Sequence, residues 1–113
     1  MPVTYSYVAV NNATALAVAL ENQPIVVGIS ASSIFFQFYS SGIIGPGSCG
    51  VTPNHIVLLV GLGVDTYGIP YWLIKNSFNT SWGENGYARI YRDMNYGYSG
   101  VCAINTYALY PIV

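Results

Sequence analysis

Two stretches decide the reading: PNHIVLLVGLG over residues 53–63 and YWLIKNSFNTSWGENGYARI over residues 71–90. The first carries the only histidine of the chain, His55, at the mouth of an apolar, β-branched run that reads as a strand over 54–64. The second opens on another apolar strand, 71–75, that ends at Asn76. Asp65 to Pro70 reads as a turn, which makes the two strands an antiparallel pair. If they pair as a hairpin, His55 and Asn76 stand at the same end of it. Asn76 then holds one imidazole nitrogen and the other faces a reaction partner, an arrangement suited to activating a nucleophile. On residue type alone a lone histidine beside a strand is more often structural, and a strand-end asparagine more often a turn residue.

Outward from this pair, the chain reads as one β-rich unit. Alternation over residues 3–10 suits a short strand. Asn11 or Asn12 caps a helix over ATALAVALEN, with Leu16, Ala19 and Leu20 on one face, and Pro24 prevents its continuation. Ile25 to Ile29 reads as a buried strand, and the aromatic run with Phe35, Phe36 and Phe38 as a single helical turn in the core. Residues 40–53 read as loop. The run of residues 54–64 is apolar on both faces and reads as central. Residues 87–92 read as a further strand, and the tail CAINTYALYPIV as an edge strand.

Composition limits the function classes. The chain has 113 residues, a net charge of −1, 53% hydrophobic residues and only 6% charged ones, against a usual charged share of about 25%. So few charges suggest an apolar face covered by another body, or a part of a larger domain. A secreted chain with a Ser/Asn/Tyr surface is the other reading. Lys75, Arg89 and Arg92 are the only basic residues and make no nucleic-acid footprint. No run reaches the ~18 apolar residues of a membrane span, so no membrane partner is expected. The start, MPVTYSY, shows no signal-peptide features. One histidine and two cysteines, Cys49 and Cys102, are too few for a zinc site, and no metal or other cofactor is expected. The cysteines are also too few for a disulfide framework; a single bridge is open to them. Two glycosylation sequons occur, Asn12-Ala13-Thr14 and Asn79-Thr80-Ser81.

Taken as a set, NQPIVVGISA, FQFYSSGII, Cys49-Gly50, Asn54-His55, YWLIKNS, SWGENGY and the final GVC resemble the papain-like cysteine peptidases in family order. The resemblance covers nearly the whole chain, from about Val3 to Pro111. It implies an α+β, papain-like fold, with these residues forming mainly its β-rich, antiparallel, barrel-like half with one helix. It implies that His55 is the catalytic acid and base and that Asn76 orients it. It also implies a Cys49–Cys102 disulfide, Gly28 and Ile56 in the pocket for the substrate's second residue, and Trp82 near the primed subsites. Phe78 stands where the family has a tryptophan that shields the histidine–asparagine hydrogen bond, and Ile56 replaces a smaller residue, which predicts a shallower pocket.

The family's nucleophile lies in a C-G-[SA]-C-[WY] signature roughly 130 or more residues before the histidine. Here 54 residues precede His55 and the signature is absent. Cys49 is a poor substitute, because no helix follows it to lower its pKa. The expected function is therefore that of the C-terminal, β-rich part of a cysteine-type peptidase over residues 1–113. It hydrolyses peptide or protein substrates through an acyl-enzyme when an N-terminal half, from the same precursor or in trans, supplies the cysteine. The alternative is a non-catalytic module that binds a peptide or partner. Family resemblance implies a lysosomal or secreted location.

Overall fold

A computed structural model describes residues 4–50, 52–77, 80–93 and 99–112. Its elements run β1 (Thr4–Tyr7), α1 (Ala13–Leu20), β2 (Ile25–Ile29), α2 (Ile34–Gln37), β3 (Ile43–Ile44), β4 (His55–Val64), β5 (Pro70–Lys75), β6 (Tyr87–Tyr91), a 3-10 turn at Val101–Ala103 and β7 (Ala108–Ile112). The strands form one seven-stranded sheet in the order β1-β7-β2-β4-β5-β6-β3. Its described pairings are antiparallel except that of β3 with β6.

Local chemistry explains the element boundaries. Asn12 Oδ1 accepts the Ala15 N–H at 2.9 Å and so caps α1, choosing between the two asparagines at this turn. The β4–β5 turn is held by Asp65, whose Oδ1 accepts from the N–H groups of Tyr67 and Ile69, both at 2.9 Å. Ser33 does two jobs. Its Oγ accepts the Phe36 N–H at 3.2 Å, capping α2, and donates to the Ser48 carbonyl at 2.8 Å. That second bond ties α2 to the loop carrying Cys49.

Cross-strand partners share a sheet face. Ile25 faces Leu59, Val27 faces Val57, Ile74 faces Ala88 and Trp72 faces Ile90, and all eight are buried. Leu16 of α1 and Phe36 of α2 close over the same core. At ~25 cal/mol per Å² of apolar area, each such side chain contributes about 2 kcal/mol on burial.

Three expectations change. The tail strand is not at an edge: β7 lies between β1 and β2 and pairs antiparallel with both. The loop between residues 40 and 53 contains β3, too short for its pattern to show. Of the three phenylalanines expected in the core only Phe36 is buried, while Phe35 and Phe38 are 71% and 79% exposed. A four-residue helix presents one residue, not three, to a single neighbour. Strand β4 is central, as its apolar pattern predicts, but it is not covered along its whole length. Val57 and Leu59 are buried and Ile56, on the opposite face, is exposed. Beyond the register shift between Leu59 and Gly61, Leu62 and Val64 are exposed, although Leu62 pairs with buried Trp72.

Candidate active site

His55 is the first residue of β4, and Asn76 follows the last residue of β5. The hairpin puts them at one end of the sheet, as the spacing predicts. His55 Nε2 lies 2.8 Å from Asn76 Oδ1. The same oxygen accepts the Ser77 N–H at 2.8 Å. An atom that accepts from a backbone N–H is the amide oxygen, so the imidazole nitrogen facing it must carry a hydrogen. The tautomer is thereby set with the proton on Nε2. Nδ1 is the nitrogen turned away from Asn76.

Asn76 is 4% exposed, and its backbone is held as firmly as its side chain. Its N–H donates to the Gly86 carbonyl at 3.0 Å. Gly86 belongs to the SWGENGY turn, in which the Gly86 N–H returns to the Trp82 carbonyl at 2.8 Å. Gly83 has a φ of +61°, and a Cβ there would meet the Tyr87 carbonyl oxygen at 2.6 Å. Only glycine fits that place. The motif is therefore a scaffold: a tight glycine turn whose outgoing strand fixes the asparagine.

The turn is braced by charge. Glu84 accepts from Arg89 Nε at 2.9 Å and Nη2 at 2.8 Å, and its Oε2 also accepts the Gly42 N–H at 3.1 Å. The Arg89 hydrogen bonds, foremost, hold the Glu84 carboxyl below its ordinary range, and the Glu84 carboxylate raises the pKa of Arg89 in return. Tyr39 donates from its hydroxyl to the Gly42 carbonyl at 2.6 Å, and burial pushes its pKa up.

His55 is set from the other side by Asn54. The Asn54 N–H donates to the Ile29 carbonyl, and its Oδ1 accepts the Ala31 N–H, both at 2.9 Å. Its Nδ2 donates to Ser32 Oγ at 3.1 Å. A single residue thus clamps the turn leaving β2 onto the start of β4. The Phe36 ring meets the imidazole edge-on, with centroids 6.5 Å apart. Trp82 packs behind Phe36 at 5.1 Å and against Tyr39 at 5.3 Å, and its indole N–H donates to the Phe36 carbonyl at 2.9 Å. Trp82 is 7% exposed and is not among the residues lining the two grooves beside His55.

Two grooves flank His55. One, of about 350 Å³, is lined by Gly28, Pro53, Ile56, Thr106 and Tyr107 along with Asn54 and His55. Gly28 and Ile56 are direct cross-strand partners, and both line this groove. The other, of about 620 Å³, is lined by Ala31, Ser32, Gln37 and Phe38 with the same Asn54 and His55. Among the described residues no charged side chain lines either groove. Tyr107 and Thr106 have no local sequence signal, since they reach the site from far along the chain. Asn54 had one, its place beside His55.

Cys49 and Cys102 form the expected disulfide, with Cα atoms 5.1 Å apart. The bridge ties the loop before β4 to the 3-10 turn, and the Cys102 carbonyl accepts the Ser30 N–H at 2.7 Å just ahead of the Asn54 clamp. Phe78, the expected shield, lies outside the described residues. Among the described residues no group of His, Cys, Asp and Glu gathers to hold a metal ion.

Comparison with known proteins gives one consistent result. The model of the papain family of cysteine proteases matches residues 2–112. Cysteine endopeptidase Rep1 of Oryza sativa subsp. japonica is 46% identical over 105 residues, covering 93% of this chain and 28% of its own length. Fruit bromelain of Ananas comosus is 42% identical over 107 residues, covering 95% of this chain and 30% of its own. The solved bromelain protease from Ananas comosus, in complex with the E64 inhibitor, superposes with a TM-score of 0.90 at 41% identity, covering 96% of this chain and 49% of that one. The chain therefore spans less than a third of these two curated relatives and about half of the solved bromelain chain. With an α+β fold, the spacing of its motifs and a match over almost its whole length, the chain belongs to the papain family of cysteine proteases.

Proposed function

We propose that these residues are the C-terminal, β-rich part of a cysteine-type peptidase, in which His55 is the general acid and base and Asn76 its orienter. The observation that carries this reading is the 2.8 Å contact of His55 Nε2 with Asn76 Oδ1, at a histidine flanked by two uncharged grooves. With the Nε2 proton held by Asn76, Nδ1 is the nitrogen that exchanges a proton with the reacting groups. A thiolate from polypeptide outside these 113 residues attacks the scissile carbonyl. Imidazolium Nδ1–H protonates the leaving amine, and an acyl-enzyme forms. Nδ1 then takes a proton from water, which hydrolyses the thioester and frees the acid. In this reading the nucleophile comes from other polypeptide, since both cysteines here are joined to each other, and these residues alone are expected not to catalyse the reaction.

The partner in this reading is the N-terminal half of the peptidase domain, from the same precursor or in trans. Exposed apolar residues at the far end of β4 support it: Leu62 is 43% and Val64 58% exposed. The substrate is a peptide or protein. Its second residue enters the groove of Gly28 and Ile56, and its chain beyond the scissile bond passes the groove of Gln37 and Phe38. The disulfide supports a lysosomal or secreted location, where such bonds persist.

Turnover of a fluorogenic peptide by the chain mixed with a matching N-terminal half tests the reading. A folded mixture without turnover supports a module that binds without cleaving.

A further inference from the structure

We propose that Asn12 is an N-glycosylation site. The inference goes beyond the peptidase reading and stands apart from it. The sequon Asn12-Ala13-Thr14 has no proline in its middle position. The structure adds what a sequon alone lacks. Residues 10 and 11 form a turn at the surface, and α1 begins at Ala13. The Ala13 methyl points into the core, 2% exposed, while Thr14 is exposed and Val10 is 67% exposed. Asn12 is half-buried at the rim between them. The middle residue of the motif thus anchors the segment, and its neighbours flank open surface.

The atom that caps α1 is not the atom that is modified. Asn12 Oδ1 accepts the Ala15 N–H, whereas the sugar is joined to Nδ2. The glycosylated side chain is still an amide with the same oxygen, so it caps the helix as before. In the transfer, Nδ2 attacks the anomeric carbon of an oligosaccharide linked to a lipid pyrophosphate. A C–N bond forms and the C–O bond to the pyrophosphate breaks. The electron pair leaves with the pyrophosphate, and the amide proton passes to a base of the transferase. The Cys49–Cys102 disulfide favours the oxidising compartment in which this chemistry takes place.

The site is also well placed for a bulky group. None of the residues lining the grooves beside His55 comes from the segment around Asn12. A glycan there leaves the cleft open. It adds polar cover to a chain with only 6% charged residues.

The test is peptide mapping of the full protein, expressed from its own gene in a eukaryotic cell. Treatment with a glycan-releasing amidase in heavy-oxygen water labels each carrier asparagine. The expected result is a label at residue 12 in the wild type and in Thr14→Ser, and none in Thr14→Ala or Asn12→Asp. Aspartate is a strong helix cap, so Asn12→Asp keeps the fold while removing the acceptor. The mapping separates residue 12 from the second sequon. An unlabelled residue 12 in the wild-type protein overturns the proposal, as does a label there that survives Thr14→Ala.

Discussion

Asn76 presents one oxygen to two donors, the imidazole of His55 and the N–H of Ser77, each at 2.8 Å. The backbone bond sets the amide orientation, and the amide sets the tautomer. Asn76→Ala removes the orienter and leaves the Nε2 hydrogen without its partner. Misplacement by about 1 Å costs on the order of 100-fold. The assembled peptidase carrying Asn76→Ala is expected to lose roughly that factor in kcat with KM little changed. A loss confined to KM contradicts the role.

The disulfide closes a loop of sequence separation 53. Chain entropy gives such a closure about 4 kcal/mol. Thiol titration of the denatured, unreduced chain is expected to find no reactive thiol. Reduction releases both cysteines and lowers stability to denaturant by an amount of that order. Two free thiols before reduction contradict the bridge.

How much of this was legible in the sequence follows from where each residue gets its neighbours. His55 and Asn76 were readable because one short turn between two apolar strands determines their pairing. The SWGENGY turn was readable as a motif, but its mechanical role was not. That Gly86 holds the Asn76 backbone appears only once β5 and β6 are seen side by side. The two residues of β3 carry no periodicity, and their parallel pairing with β6 depends on a distant partner. The place of β7 differs from the edge position its pattern suggests, because a strand at the chain end carries no local signal of its neighbours. Its insertion between β1 and β2 is settled by contacts far away in sequence. The place of Tyr107 in the groove has no local sequence signal for the same reason.

Glu84 braces the asparagine-holding turn, and its carboxyl is depressed from an ordinary value of 4.5, first by its hydrogen bonds to Arg89. A depressed carboxyl stabilises the fold above its unfolded pKa. That contribution is lost as pH falls through the lower, folded value. With both side chains a little over a quarter exposed, about 1 kcal/mol is a reasonable share. Glu84→Gln is expected to cost that much near neutral pH. Its deficit against the wild type should shrink as pH drops below 4.5. Denaturant melts across this range check it, and a deficit constant with pH contradicts it.

Ile56 and Gly28 face each other across β4 and β2 at the floor of the smaller groove. Ile56→Ala widens that groove without touching the core, because Ile56 is 55% exposed. For the assembled enzyme, kcat/KM for a peptide with a large aromatic second residue should rise about 10-fold relative to one with valine. An unchanged ratio removes Ile56 from the specificity pocket.

The role of His55 is tested most directly by reconstitution. The chain is mixed with a matching N-terminal half that carries the cysteine, and hydrolysis of a fluorogenic peptide is followed for the wild type and for His55→Ala. The expected result is turnover in the wild-type mixture that vanishes in His55→Ala, with circular dichroism showing both mixtures folded. Turnover that survives His55→Ala, or none from a folded wild-type complex, contradicts the assignment of His55 as the general acid and base.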